Sequence, residues 1–145
     1  MGFNKTYKLY LDQIRYPWMS ANRVPLYNVL YMAEDWVIVR SYSDLVRTVI
    51  TKLQQEEWPI FVSFGHDLSN EHTQYFFDNG GWAFAPEPNY DSFKENTGLH
   101  AAIWLCNFVT EHALPLPGYA THSANPAGAR NIQRYLDNFN ANYSL

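Results

Sequence analysis

The segment "WVIVRSYSDLVRTVITKLQQEEWPIFVSFGHD", residues 36–67, contains a strand, a helix and a second strand in succession. Val and Ile dominate Asp35–Ser41, and a second apolar run occupies Pro59–Phe64, so both are predicted as buried strands. Between them, Ser43–Gln55 has its apolar residues at the one-face spacing of an amphipathic helix. Two strands joined by a helix pair in parallel, so this segment predicts an α/β fold.

Capping residues mark the helix starts along the chain. Ser41 and Asp44 have the capping-box spacing, and Thr97 is placed to cap an apolar helical pattern that follows it. Asn125 and Pro126 are a favourable cap and first residue for a last helix, predicted to run through Phe139 and to fray after it. Three helices are therefore predicted with defined starts.

The remaining segments complete a four-stranded sheet. Lys8–Asp12 is predicted as the first strand and Gly118–His122 as the last. Gln13–Glu34 is predicted to be mostly loop with one irregular turn of helix, and Ser69–Asn96 a long aromatic-rich insert over the surface. The prediction is one domain, residues 1–145 with a core of about 8–139. Its fold is a small, doubly wound, mainly parallel sheet with helices on both faces.

The composition limits the classes of partner that the protein is expected to bind. The 145 residues carry a net charge of −4 without a basic run, which argues against a long nucleic acid as partner. No apolar run approaches a membrane span and no signal pattern opens the chain, so we expect a cytoplasmic protein without a membrane partner. Aromatic residues make up 17%, and they serve either to pin loops or to stack on a nucleobase. Cys106, within an apolar helical pattern, is predicted to be a core residue.

Polar residues follow three of the predicted strands. Asp12 follows the first strand, His66 and Asp67 the third, and His122 and Ser123 the fourth. The carboxyl ends of parallel strands meet at one rim, where ligands bind in such sheets. These side chains are therefore predicted to converge.

The same rim has the features of a phosphate site. The last helix starts there at Asn125, and Gly128 in its first turn is expected to admit a close approach by a ligand. Arg15 is predicted to offer its guanidinium to phosphate oxygens, with Arg130 as a further candidate. His100, in the first turn of its helix, is a third candidate, whereas His72 and His112 are expected to be a solvated loop residue and a helix-end residue.

Two histidines at a phosphate suggest acid–base chemistry. One of His66 and His122 is predicted to take a proton from water while the other protonates the leaving oxygen, with Asp67 or Asp12 orienting an imidazole. No cofactor is required for this. Alternatively Asp12, Asp67 and a histidine hold a divalent metal, although no HxH or HExxH spacing supports it. Caps and turns alone would also account for each of these residues taken singly.

Five motifs, in order, resemble the cyclic-phosphate processing receiver-like domain: "LYLDQIR", "WVIVRSYSDLV", "SFGHDL", "TGLHAAIWL" and "HSANPAGARN". The resemblance covers about residues 8–139. It implies a receiver-related, flavodoxin-like sheet with strand order 2-1-3-4, found in bacterial and phage conflict systems, that acts on cyclic or terminal phosphates of nucleotides. The family's characteristic positions fall on Asp12, Arg15, His66, Asp67, His122, Ser123 and Asn125.

Two departures from the family pattern remove carboxylates. Gln13 stands where the family usually has a second acid, and Gly65 stands where it usually has Asp before His66. Both changes weaken a metal site and leave the two-histidine interpretation intact. The insert also looks longer than the family's usual loop, which is consistent with a lid for one base.

The predicted function is therefore a phosphoesterase that opens a cyclic nucleotide or a cyclic-phosphate end. The alternative is a protein that sequesters a nucleotide signal without turnover, using the same anion site and the aromatic insert. A third possibility is a scaffold whose aromatic surface binds another protein. The partner in the first two is a nucleotide or a small phosphate-containing ligand, and the oligomeric state is left open.

Overall fold

The computed structural model describes residues 3–21 and 28–145, with the side chain of Asn28 excepted. Four parallel strands form one sheet in the order β2-β1-β3-β4. This confirms the parallel α/β fold and the strand order that the resemblance implies. The strands are β1 (Lys5–Leu11), β2 (Trp36–Val39), β3 (Glu57–Phe64) and β4 (Gly118–Thr121); the helices are α1 (Asn28–Met32), α2 (Tyr42–Gln54), α3 (Asn70–Asp78), α4 (Gly98–His112) and α5 (Pro126–Asn142).

Side chains on the strands alternate between two unequal layers. On one face, Leu9 and Leu11 of β1 pack with residues from α2, α4 and α5, such as Leu45 and Ile132, in the main core. On the other face, Tyr10 packs in a small aromatic cluster with Tyr31 of α1, Trp36 and Ala21. The alternation follows from the two-residue period of a strand. The second face is thus covered by aromatic side chains and a short helix rather than by long helices.

The predicted caps are present. Ser41 Oγ accepts from the Asp44 N–H at 3.1 Å, the Thr97 side chain accepts from the His100 N–H, and Asn125 Oδ1 accepts from the Gly128 N–H at 3.1 Å. Each of these bonds satisfies an amide that the first helical turn leaves free. The starts of α2, α4 and α5 were therefore correctly predicted from local chemistry.

The insert differs from its prediction. Residues 69–96 are not a single surface loop, because Ser69 caps α3 and a 3-10 turn occupies Tyr90–Ser92. His72 is correspondingly not a solvated loop residue. It is buried in α3, where Nδ1 accepts from the Leu68 N–H at 3.0 Å and Nε2–H donates to Glu95 O at 2.8 Å.

Two further segments differ. The last helix does not fray at Asn140, because α5 continues to Asn142 and the Tyr143 hydroxyl lies 2.6 Å from Leu114 O. In the predicted loop at 13–34 the chain forms a 3-10 turn at Pro17–Ser20 and then α1, while residues 22–27 lie outside the described residues. Cys106 is buried, as predicted. Within the described ranges, no helix is both long and apolar enough to cross a membrane.

Candidate active site

Asp12 lies directly after β1 and is held by four groups. Its Oδ1 accepts from the N–H groups of Ile14 and Arg15 at 3.0 and 2.8 Å, and its Oδ2 lies 3.0 Å from His122 Nε2 and 3.9 Å from Arg15 Nη1. Burial by itself raises the pKa of this carboxyl, but the hydrogen bonds from His122 and the two amides outweigh it and lower the pKa to about 2. Asp12 is therefore a carboxylate under all ordinary conditions.

His122 lies directly after β4 and points into the aromatic cluster. Its ring stacks on Tyr10 with centroids 4.2 Å apart, and its side chain has no exposed surface. Because the Asp12 carboxylate only accepts, the proton on this side belongs to His122 Nε2. His122 Nδ1 lies 2.7 Å from Ser63 Oγ, which also bonds the Tyr31 hydroxyl. The chain Tyr31–Ser63–His122–Asp12 thus runs from the aromatic cluster to the rim.

This position departs from the predicted role of His122. Both ring nitrogens of His122 are engaged by protein groups, and the ring does not line the cavity described below. A histidine that exchanges protons with a ligand needs a nitrogen within reach of it. The shared role of His66 and His122 at one phosphate therefore stays a prediction, and in the structure His122 reaches the rim through its hydrogen bond to Asp12.

His66 follows Gly65, the first residue after β3, and its ring is wholly enclosed. Its Nδ1 lies 3.3 Å from Asp67 Oδ1, whereas its Nε2 is buried and has no hydrogen-bond partner among residues 3–21 and 28–145. The Tyr90 ring meets the imidazole edge-on at 4.8 Å. Asn125 Nδ2 lies 3.5 Å from the same Nδ1. In the tautomer whose Nδ1–H donates to Asp67, Nε2 carries a lone pair that no described residue uses.

A small cavity of about 70 Å³ opens at this rim. Its wall includes Asp12, Arg15, His66 and Asp67 from the ends of β1 and β3, together with Ser123 and Asn125 from the loop before α5. The expected convergence of strand ends is therefore observed for these residues. Gln13, Ile14, Gly65, Thr73, Trp82 and Ala124 complete the wall.

Asn125 connects three parts of the site. Its Oδ1 caps α5, and its Nδ2 lies 3.1 Å from Asp67 Oδ2 and 3.2 Å from the Tyr90 hydroxyl. The Gly128 N–H donates to Asn125 Oδ1 in this cap, and the Ala129 N–H donates to Asn125 O. The start of α5 consequently offers fewer free amides to an anion than predicted.

Gly128 was expected to admit a ligand, but its open side is filled by protein. A Cβ at Gly128 would lie 2.4 Å from His66 Cγ, far inside contact distance. The residue must be glycine so that the His66 ring can pack against α5. Its importance is therefore for the placement of His66.

Two other candidates lie outside the cavity wall. His100 Nδ1 accepts from the Thr97 N–H at 2.9 Å and its Nε2 lies 3.0 Å from Asp91 Oδ1, in a separate shallow groove beside Tyr90. Arg130 is exposed on α5. The structure brings neither to the phosphate position predicted for them.

The alternative metal site lacks a donor set. Within the described part of the chain, no three His, Cys, Asp or Glu side chains are grouped to hold a metal ion. Both Asp12 oxygens already accept hydrogen bonds, and Asp67 is shared between His66 and Asn125. The side chains present do not fit a metal held by three protein ligands.

Sequence reasoning missed the residues that support the rim from beneath. Ser63 and Tyr31 belong to strand and helix interiors and carry no motif. Arg40 donates from Nη1 to Asp12 O at 3.2 Å and also bonds Arg15 O, so it holds the loop that carries Arg15. Arg40 follows β2, and the rule that strand ends share a rim would have found it.

Comparison with known proteins agrees with this architecture. The family model described as "Cyclic-phosphate processing Receiver domain" matches residues 7–138. No curated protein and no solved structure matches the chain.

Proposed function

The chain belongs to the cyclic-phosphate processing receiver domain family, and we propose that it opens a cyclic phosphodiester of a nucleotide by hydrolysis. The observation that carries the proposal is the buried Nε2 of His66, which has no hydrogen-bond partner among the described residues. A buried polar atom without a partner is costly, and His66 is one of the residues around the cavity, so this nitrogen points to a partner that a ligand or a water supplies when the ring is uncovered.

His66 has the arrangement of a general base. Asp67 Oδ1 at 3.3 Å from Nδ1 orients the ring and favours the tautomer with its lone pair on Nε2. A water bound at Nε2 would be deprotonated as it attacks the phosphorus atom. The new bond joins water oxygen to phosphorus, the ester bond to one ribose oxygen breaks, and that oxygen takes a proton from solvent at the mouth.

The charges of the wall favour a cyclic ester over an open one. Among the described residues that line the cavity, Arg15 is the one cation, against the two carboxylates Asp12 and Asp67. A cyclic phosphodiester carries one negative charge, whereas the monoester produced by ring opening carries about 1.5 to 2 at neutral pH. The wall therefore repels the product more than the substrate, which assists release.

Sequestration without turnover is the second candidate, and a specific observation favours it. Because His122 lies beneath the wall, His66 is the one histidine among the described residues that line the cavity. Acid–base catalysis by two histidines would need a second histidine at the cavity. Binding would still use Arg15 and the polar loop before α5.

The test is product analysis on purified protein. Cyclic mono-, di- and trinucleotides and RNA ending in a 2′,3′-cyclic phosphate are incubated with and without chelator, and products are identified by mass spectrometry. We expect a monoester product, an undiminished rate with chelator, and loss of turnover in His66→Gln.

Matched variants separate the two candidates. His112→Gln makes the same chemical change on an exposed histidine at the far end of α4 and should turn over normally. Recovery of an intact cyclic nucleotide from denatured protein, without product in any arm, would support sequestration instead. A protein that neither converts nor retains any ligand of the panel would refute both candidates.

A further inference from the structure

The cavity is too small for a whole nucleotide. Its volume of about 70 Å³ accommodates a phosphate-sized group, while pockets that enclose drug-sized ligands are typically about 300–1,000 Å³. The nucleoside part of any ligand held by its phosphate must therefore lie at the mouth. What lines the mouth then decides which ligands bind.

Trp82 contributes the aromatic part of the wall. It belongs to the same cavity as Arg15 and His66, although it lies in the insert and far from them in sequence. One side of its indole is covered by Phe76, with ring centroids 4.1 Å apart and planes inclined by 38°. Phe76 is itself buried in α3, so Trp82 is backed by the core and remains partly exposed.

The turn after α3 holds the indole in this place. Gly80 and Gly81 have φ values of +96° and +93°, which side-chain-bearing residues rarely adopt. The Gly81 N–H donates to Phe76 O at 2.7 Å, and Gly81 O accepts from the Phe84 and Ala85 N–H groups. The chain is thereby reversed so that Trp82 packs back on α3, and little entropy is left to lose on binding.

Electrostatics alone makes a weak phosphate site here. In the described part of the wall one guanidinium, that of Arg15, is set against two carboxylates, so these side chains give the phosphate little net attraction. A second contact that does not depend on charge is needed for useful affinity. An indole face is the side-chain surface best suited to stack on a heterocyclic base.

We propose that Trp82 is the stacking platform for the base of the nucleotide whose cyclic phosphate enters the cavity. The inference rests on the proposed function for the phosphate itself. Stacking of one base on an aromatic side chain strengthens binding by roughly 5- to 100-fold. The substrate class is thus a nucleoside cyclic phosphate, and base-free cyclic phosphates bind more weakly by about that factor.

The test compares two ligands on matched variants. Adenosine 2′,3′-cyclic phosphate and ethylene phosphate, the five-membered cyclic diester without a nucleoside, are titrated calorimetrically in a His66→Gln background that prevents turnover. Trp82→Leu should weaken the nucleotide roughly 5- to 100-fold and leave ethylene phosphate within about twofold. The affinity of Trp82→Phe for the nucleotide should lie between those of the proteins with Trp82 and with Trp82→Leu, because phenylalanine keeps a ring against Phe76.

Phe84→Leu is the control within the same turn, because Phe84 is 84% exposed and lies outside the cavity wall. It should change neither affinity. Equal weakening of both ligands by Trp82→Leu, or no weakening of the nucleotide, would overturn the stacking role while the phosphate site stands. If neither ligand binds with Trp82 present, the proposed function and the stacking role both fail.

Discussion

Replacing Asp12 by Asn should remove an acid-sensitive part of the protein's stability. The pKa of Asp12 lies near 2 in the folded protein, against an ordinary value of 3.8. Because the folded-state pKa is the lower one, the contribution is fully present above about pH 4 and is lost as the pH falls towards 2. A difference of nearly two pKa units corresponds to about 2 kcal/mol of folding free energy, of which about half is lost by pH 3.

In Asp12→Asn the side chain has the shape of aspartate but no titratable carboxyl group. Its amide oxygen can still accept from the Ile14 and Arg15 N–H groups. Its amide nitrogen, a donor, replaces the carboxylate oxygen beside His122, so His122 must take the tautomer that presents the Nε2 lone pair. Because the amide cannot titrate, the stability difference between wild type and variant should shrink by about 1 kcal/mol between pH 5 and pH 3. The wild type should lose the contribution of the Asp12 carboxylate over this range, and the variant has no such contribution to lose.

Urea unfolding followed by tryptophan fluorescence at pH steps from 5 to 3 measures this difference directly. Asp78→Asn, at an exposed position of α3, is the control and should run parallel to wild type. If the Asp12→Asn and wild-type curves also stay parallel over this range, the carboxylate is not held by His122 and the two amides as described.

The remaining predictions concern packing and histidine protonation. His122→Phe should destabilise the fold by about 1–3 kcal/mol in urea unfolding, because Asp12 loses its buried donor, whereas His122→Gln keeps a donor and should lose less. Gly128→Ala should lower the melting temperature although alanine favours helices, since its Cβ would meet the His66 ring at 2.4 Å; a higher melting temperature would contradict that packing. Burial lowers the pKa of His72 in the folded protein, so the unfolded chain binds this proton at a higher pH than the folded chain does. The free energy of unfolding should therefore fall as the pH drops below about 6.5. His72→Gln should flatten this dependence between pH 7 and 5, and an unchanged dependence would show that His72 is not the group responsible.

Local patterns were sufficient for most of the framework. Alternating apolar strands and an amphipathic helix predicted parallel pairing, and three short-range caps at Ser41, Thr97 and Asn125 predicted helix starts. The same strand ends predicted a rim with Asp12, His66 and Asp67 on it. These signals depend on neighbours within a few residues, so they can be recognised in the sequence before the fold is known.

Helix α3 was missed because its buried side depends on a partner outside the helix. Its cap at Ser69 was visible, but the buried side of the helix is made by His72 and Phe76, and an aromatic-rich segment with polar neighbours was predicted as loop. Burial of a histidine depends on the distant carbonyl of Glu95. No pattern within the helix indicates that partner.

The sequence by itself determined a parallel α/β domain with polar strand ends, because periodicity and capping are short-range properties of the chain. Only the tertiary structure decided which of those polar groups line the cavity at the rim. Asp12 and His122 are 110 residues apart, and His122 and Ser63 are 59 apart. Their hydrogen bonds turn His122 inward, since a buried polar group takes the orientation in which its partners satisfy it. Nε2 of His66 is left without a hydrogen-bond partner among the described residues.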